Sequence, residues 1–331
     1  MHNQKIKVGV IGAGAWGTAI AKMISEKENV LLWAKEKSVC SDVNNKMQNK
    51  KYLPNIKLNR KILCTNDLND LGELSFLFLV VPTQYIQPVL KQFKKKINNN
   101  CIIVCCSKGI EIKSLKLSTE LVSSLYPKNQ IAVMSGPNFA LEVAKDFPAA
   151  TLIAAKQDGT AKKVAKLIQS KTFRPYLSND VIGAQIAGAL KNIYAIACGI
   201  AVGKHFGENA VASIISRGFA EICLVGKAFR AKKETLSGLS GMGDLFLTCS
   251  SKKSRNFTLG TELAQGTTLQ SLVNKKSSIA EGVFTARALK KLAVKHKLIL
   301  PIGETVYQIL YRNKNIDSAI KDLLNRPIRK E

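Results

Sequence analysis

The sequence predicts an α/β chain: a doubly wound parallel sheet followed by a mainly α-helical C-terminal domain. Three observations carry this. Short, nearly continuous apolar runs alternate with helical patterns up to about residue 180, as expected of strands covered on both faces. The first run ends on a glycine turn, Gly12-Ala13-Gly14-Ala15-Trp16-Gly17, that opens directly into an alanine-rich helical pattern. After Asn179-Asp180 the β-like runs give way to long amphipathic or apolar helical patterns. With 331 residues the chain is long enough to bury two cores. The domain boundary is therefore expected between residues 1–180 and 181–331.

The bulk properties narrow the function classes. A net charge of +27 invites a nucleic-acid reading. The basic residues are mostly lysine, however, and are spread along the chain. The one compact block is Lys94-Lys95-Lys96, and no arginine–aromatic interleaving accompanies it. Solvated lysine faces are expected, with weak, non-specific attraction for polyanions and a real pull on small anionic ligands. No run reaches about 18 uninterrupted apolar residues, so no membrane span is expected. The first apolar run carries the glycine turn and reads as a strand, not a signal peptide, which makes the cytoplasm the expected location. The eight cysteines include no Cys-x-x-Cys pair and several sit in apolar runs, as in 101–106, so buried free thiols in a reducing compartment are expected. Cys249 follows a motif described below, yet packing is its expected role. His2, His205 and His296 have no ligand spacing; His205 is the one candidate near a site, and a surface loop is its simpler reading.

In chain order, residues 8–11 form the first strand. Gly12 lets the chain turn tightly out of it, Gly14 admits a pyrophosphate close to the backbone, and Gly17 lets the helix pack against the sheet. The free N–H groups of the helix start then face the anion. This is the fingerprint of a Rossmann-type dinucleotide-binding domain. Residues 30–34 read as the second parallel strand. Such folds often end this strand with an acidic residue that holds the ribose 2′-hydroxyl. Here Lys35 comes first and Glu36 second: the lysine either meets a 2′-phosphate, which favours NADP, or is simply an exposed strand-end residue, and the glutamate keeps NAD open. Residues 37–60 read as a helix followed by a loop. Further strands are expected at 62–65, 74–82, 101–106 and 131–134. Residues 151–155 and 172–177 add edge strands around a helix at 159–170. Lys108, Gly136 and Asn138 follow carboxyl ends of these strands, where doubly wound sheets bind their ligands.

The chemistry lies further on. Residues 182–202 read as one very apolar helix whose middle carries Lys191 and Asn192. Such a lysine either snorkels or sits in a cleft where desolvation and a nearby cation lower its pKa. In the second case it can accept the proton of a secondary alcohol as hydride leaves for a nicotinamide. The glycine-rich turn 236–245 delivers Asp244, which could orient Lys191, bind a substrate hydroxyl, or cap a helix. Ser254-Arg255-Asn256 place a hydroxyl, a guanidinium and an amide in succession, a set suited to phosphate.

Taken together these blocks resemble the bacterial NAD(P)-dependent glycerol-3-phosphate dehydrogenase family, end to end. The resemblance rests on Gly12-Ala-Gly-Ala-Trp16-Gly17, Ser107-Lys108-Gly109-Ile-Glu111, Ser135-Gly136-Pro137-Asn138-Phe139-Ala140 and Ala189-Leu-Lys191-Asn192. It continues through Gly238-Leu-Ser-Gly241-Met-Gly243-Asp244, Ser254-Arg255-Asn256 and Glu281-Gly282. It implies that Lys191 is the proton acceptor, and that Lys108, Gly136, Asn138, Lys191, Asp244, Ser254, Arg255 and Asn256 line the glycerol phosphate site. It implies cofactor contacts from Gly12, Gly14, Ala15, Trp16, Gly17, Lys35, Lys108, Ala140, Arg255, Ile279 and Glu281, with Tyr52 on the adenine side. Asn138 stands where many relatives have threonine, and Ala15 where many have serine; neither change removes a charge. The implied reaction is reversible hydride transfer between NAD(P)H and dihydroxyacetone phosphate giving sn-glycerol 3-phosphate, for glycerophospholipid synthesis. NADPH or NADH would serve, NADP favoured, without a metal. The partner is a small-molecule substrate, with no specific nucleic acid, and the expected assembly is a homodimer. A 3-hydroxyacid or 6-phosphogluconate dehydrogenase would share the architecture, but Gly-Met-Gly-Asp and Ser-Arg-Asn argue against it.

Overall fold

The computed structural model describes residues 6–71, 73–93, 97–275 and 280–328. The lysine block 94–96, His2 and Ile279 lie outside these. The chain divides into two compact units, Met1–Lys108 with Leu117–Gln185, and Gly109–Lys116 with Ile186–Glu331.

The first unit is built on strands β1 (Val8–Ile11), β2 (Val30–Trp33), β3 (Gln48–Asn49), β4 (Leu53–Lys57), β5 (Ile62–Thr65), β6 (Phe76–Leu79), β7 (Ile102–Cys105), β8 (Ile131–Ser135), β9 (Ala149–Ala155) and β10 (Phe173–Ser178). Among the described residues eight of them form one sheet in the order β10-β9-β8-β7-β6-β1-β2-β5. Side chains alternate between its faces. Val8, Val10, Phe78 and Val104 enter one core, whereas Ile11, Leu77, Leu79 and Ile103 enter the other. Both faces are covered, which is why these strands read as unbroken apolar runs. The chain runs outward from β1 through β2 to β5, then returns to β6 on the other side of β1. That reversal creates a switch point at the carboxyl ends of β1 and β6, and the glycine turn sits on it.

Three expectations need correction. The sheet is not wholly parallel, because β8 and β9 pair antiparallel. Of the two strands expected at this side of the sheet only β10 is at the edge; β9 lies between β8 and β10. Pro175 in β10 is tolerated there because an edge strand has one side without ladder partners. Residues 37–60 hold the helix Lys37–Lys46 followed by the antiparallel pair β3–β4, not a loop. The ladder consists of Gln48 opposite Lys57 and Asn49 opposite Leu53, with a register shift between them, too little to leave a two-residue hydrophobic period in the sequence.

The second unit is helical. The helix Val181–Gly203 belongs to it from Ile186 onward, and between Ile186 and Ala201 every residue except Ala197 is buried. An apolar helix with no polar face is what a core helix requires. By length and composition this helix and Glu208–Ala228 could each cross a membrane, although neither holds about 18 apolar residues in a row; the window of the first is 83% buried inside the protein. At Gly199 and Gly260 the helix Val181–Gly203 meets the helix Arg255–Ala264 backbone to backbone. A Cβ at Gly199 would lie 2.0 Å from the Phe257 carbonyl oxygen, and one at Gly260 2.1 Å from that of Ile196. This close approach holds the start of the second helix near Asn192. Deeper in the unit, buried Glu221 accepts hydrogen bonds from the Ile302 and Gly303 N–H groups (2.7 and 3.0 Å) and from the Tyr194 hydroxyl (3.2 Å). One carboxylate thus ties three helices together.

Candidate active site

At the glycine turn each glycine answers a different constraint. Gly12 has φ +112°, a conformation L side chains rarely adopt, and a Cβ there would meet the Val80 carbonyl oxygen at 2.9 Å. A Cβ on Gly17 would fall 1.8 Å from the Gly12 carbonyl oxygen, so the first helical turn can approach the strand only without one. Gly14 has nothing within 4 Å of its Cβ position: the space beside it is open. The helix Ala15–Ser25 that follows has neither a capping side chain nor an acidic residue in its first turn. Its leading N–H groups, with half-buried Ala15 and Trp16 among them, border that space. Open room beside bare backbone at a helix N-terminus fits a dinucleotide pyrophosphate.

The end of β2 lies nearby in the chain. Lys35 is exposed and Glu36 half-buried. The Tyr52 hydroxyl donates to Glu36 Oε1 at 2.7 Å, bringing the expected adenine-side residue to the expected ribose end. Further along the same carboxyl edge, Lys108 Nζ donates to the Gly136 carbonyl oxygen at 2.8 Å, joining the segments after β7 and β8. Gly136 is tight against β9, since a Cβ would meet Thr151 Cα at 2.9 Å. Asn138 Nδ2 donates to the Ala150 and Pro137 carbonyls at 2.9 and 3.0 Å. Ala140 opens the short helix Ala140–Ala144. The first unit thus gathers Lys108, Gly136 and Asn138 along one sheet edge.

In the second unit Lys191 is not a snorkelling surface residue: it is 7% exposed. Its Nζ donates to Asp244 Oδ1 at 2.6 Å and to the Thr248 hydroxyl at 2.7 Å. The Thr248 hydroxyl donates in turn to the Asp244 backbone carbonyl at 2.6 Å. Asp244 itself is 1% exposed, so this is a desolvated ion pair with its hydrogen bonds satisfied. The neighbour expected to tune the lysine was a cation; the one found here is a carboxylate. Asp244 is the first residue of the helix Asp244–Cys249, and its carboxylate is turned to Lys191 while Gly243 stands at the cap position. Thr248 was missed in the sequence, although its four-residue spacing from Asp244 on a helix is the signal that could have found it.

Ser254 caps the helix Arg255–Ala264, its hydroxyl accepting from the Phe257 N–H at 3.3 Å. Arg255 is exposed at the first turn of that helix. Asn256 is buried and engaged at both ends of its amide: Nδ2 donates to Asn192 Oδ1, and Oδ1 accepts from the Gly282 N–H, both at 2.9 Å. Through it the starts of two helices, Arg255–Ala264 and Glu281–Lys295, are joined to the residue after Lys191. Two helix N-termini and a guanidinium at one place favour an anion. Cys249 is buried, and burial pushes its thiol well above its ordinary range, the Cys198 thiol adding to the effect; it is an unreactive packing group near Lys191. His205 is exposed at φ +58° in the turn after the helix Val181–Gly203.

Comparison with known proteins follows the same division. The NAD-dependent glycerol-3-phosphate dehydrogenase N-terminus matches residues 7–161 and the C-terminus of the same family residues 180–321. A glycerol-3-phosphate dehydrogenase [NAD(P)+] of Parvibaculum lavamentivorans is 44% identical over 326 residues, 98% of either chain. That of Zymomonas mobilis is 43% identical over 324 residues, 98% of this chain and 94% of its own. The crystal structure of glycerol-3-phosphate dehydrogenase from Coxiella burnetii superposes with a TM-score of 0.93 at 33% identity, covering 97% of this chain and 99% of that one. A D-mandelate dehydrogenase shares the fold alone, with a TM-score of 0.62 at 13% identity over 95% of this chain and 99% of its own. Two family halves in order and full-length relatives above 40% identity leave one assignment: this chain belongs to the NAD-dependent glycerol-3-phosphate dehydrogenase family and is an oxidoreductase that uses a nicotinamide cofactor.

Proposed function

We propose that the chain interconverts dihydroxyacetone phosphate and sn-glycerol 3-phosphate, with residues 1–180 as the dinucleotide-binding domain and 181–331 as the helical substrate-binding and catalytic domain, each lending residues to the other's ligand. The observation that carries this reading is the buried Lys191–Asp244–Thr248 cluster in a chain of this family. When bound, the nicotinamide supplies or receives the hydride at C2. Lys191 handles the proton of the same carbon's oxygen: its ammonium donates as the ketone is reduced and its amine accepts as the alcohol is oxidised. Asp244 and Thr248 fix the Nζ position and stabilise the ammonium. Arg255, with Ser254, Asn256 and Lys108, holds the phosphate, and Gly136 and Asn138 complete the substrate wall. Gly12, Gly14, Ala15, Trp16, Gly17, Lys35, Tyr52, Ala140 and Glu281 contact the cofactor, with Lys108 and Arg255 shared between the two ligands; Ile279 is proposed from sequence alone. Lys35 favours NADP. The product feeds glycerophospholipid synthesis in the cytoplasm, and the enzyme works as a homodimer.

The test is a steady-state assay with dihydroxyacetone phosphate and NADPH. Saturable oxidation of NADPH is expected, giving sn-glycerol 3-phosphate; absence of turnover with either NADPH or NADH would sink the reading.

A further inference from the structure

The turn between β3 and β4 has no part in the scheme above beyond Tyr52, yet it is anchored to the cofactor turn by a buried side chain. Asn49 is 1% exposed. Its Nδ2 donates at 2.8 Å to the Ala13 carbonyl oxygen, inside the glycine turn, and at 2.8 Å to the Thr18 hydroxyl on the helix that follows. Its Oδ1 accepts from the Tyr52 N–H at 3.2 Å. One amide therefore fixes Lys51 and Tyr52 relative to the glycine turn. Both then converge on a single carboxylate: Glu36 Oε1 accepts from the Tyr52 hydroxyl at 2.7 Å and from Lys51 Nζ at 3.1 Å. Lys51 also stands 5.2 Å from the Tyr52 ring centroid, which favours the same arrangement. Glu36 is flanked in sequence by Lys35 and Lys37, both exposed.

An acidic side chain at this strand end ordinarily grips the ribose 2′-hydroxyl and repels a 2′-phosphate. Here its charge is matched by a cation, and one of its two oxygens, Oε1, already accepts two hydrogen bonds. We propose that the β3–β4 turn sets the dinucleotide preference: Lys51 and Tyr52 occupy Glu36, cancelling its repulsion, so that Lys35 meets the 2′-phosphate and NADPH is chosen over NADH. The Tyr52 hydrogen bond, set against partial burial and helped by Lys51, also holds the Glu36 carboxyl below its usual range, as expected of an engaged anion. Lys51 and Glu36 act here as specificity-determining residues and take no part in hydride or proton transfer.

The inference rests on the dinucleotide half of the proposed function, and its test is independent of turnover. Calorimetric Kd values for NADPH and NADH are compared in wild type, Lys51→Met, Glu36→Gln and the double variant, with melting temperatures as a folding check. Lys51→Met is expected to lower the NADPH-over-NADH preference about tenfold by weakening NADPH, a free-energy change of about 1.4 kcal/mol. Glu36→Gln should raise the preference, and the double variant should recover at least the wild-type value, because no unmatched carboxylate remains. A preference unchanged within about twofold in both single variants would overturn the proposal. So would an undiminished Lys51→Met loss in the Glu36→Gln background, which would make Lys51 a direct phosphate ligand. Binding of neither dinucleotide would sink the underlying site assignment as well.

Discussion

Around the glycine turn of the first unit, side chains are missing where a ligand is expected; around Lys191 in the second, buried polar side chains are packed against one another. Gly14 borders open space and the helix after it begins without a capping side chain. Lys191, Asp244 and Thr248, by contrast, satisfy one another below 8% exposure, and Asn256 uses both ends of its amide on protein partners. Each kind of site therefore tolerates a different change. A site made of bare backbone is damaged by adding atoms, and its damage depends on where they point. A site made of a closed hydrogen-bond network is damaged by removing any member, because the others are left buried and unmatched.

The largest effect is expected at the centre of the network. Lys191→Ala should lower kcat about a thousandfold, while NADPH binding, followed by fluorescence titration, is retained. The same substitution leaves Asp244 buried without its cation, so a melting-temperature loss accompanies it. A kcat drop below about tenfold would place proton transfer elsewhere.

The bare-backbone site is probed by two alanines. Gly17→Ala drives a methyl into the Gly12 carbonyl and should lower both thermal stability and dinucleotide affinity, with roughly 3 kcal/mol lost in denaturant unfolding. Gly14→Ala meets nothing in the protein, so its melting temperature should match wild type while dinucleotide affinity falls about tenfold. Equal behaviour of the two variants would mean that Gly14, like Gly17, is required by packing within the protein.

A pH-dependent effect concerns Glu221, whose partners are the Ile302 and Gly303 N–H groups and the Tyr194 hydroxyl. Burial pushes its carboxyl up to about 7 from an ordinary 4.5, against the hydrogen bonds from Ile302, Gly303 and Tyr194. A carboxyl raised on folding binds its proton more readily in the native state. Its contribution is therefore most favourable below about 4.5 and is lost as pH climbs to about 7. Across that window wild type should lose about 3 kcal/mol of unfolding free energy from this group. Glu221→Gln should remove the slope. At every pH it should also cost about 1–3 kcal/mol, because its amide nitrogen would face a backbone N–H. Urea unfolding of both proteins at pH 5 and pH 7.5 separates these two effects.

Much of the fold was legible because its signals are local. A covered parallel strand must be apolar throughout, so β1, β2, β6, β7 and β8 stand out from their neighbours. The β3–β4 pair was hidden because two rungs with a register shift impose no periodicity. The antiparallel β8–β9 pairing was hidden because strand direction is set by how the chain connects, not by the residues within a strand.

The glycine turn, the strand–helix alternation, the apolar helix with its lysine, and the family are legible in the residue order, since each depends on residue types at short fixed spacings. What those residues do to one another depends on contacts between distant parts of the chain. Lys191 and Asp244 are 53 positions apart, Asn49 and Ala13 36, Tyr52 and Glu36 16, and Glu221 and Ile302 81. No propensity or period reaches across such separations. Packing alone brings those polar groups together, and for the buried Lys191, Asn49 and Glu221 burial makes the pairing obligatory.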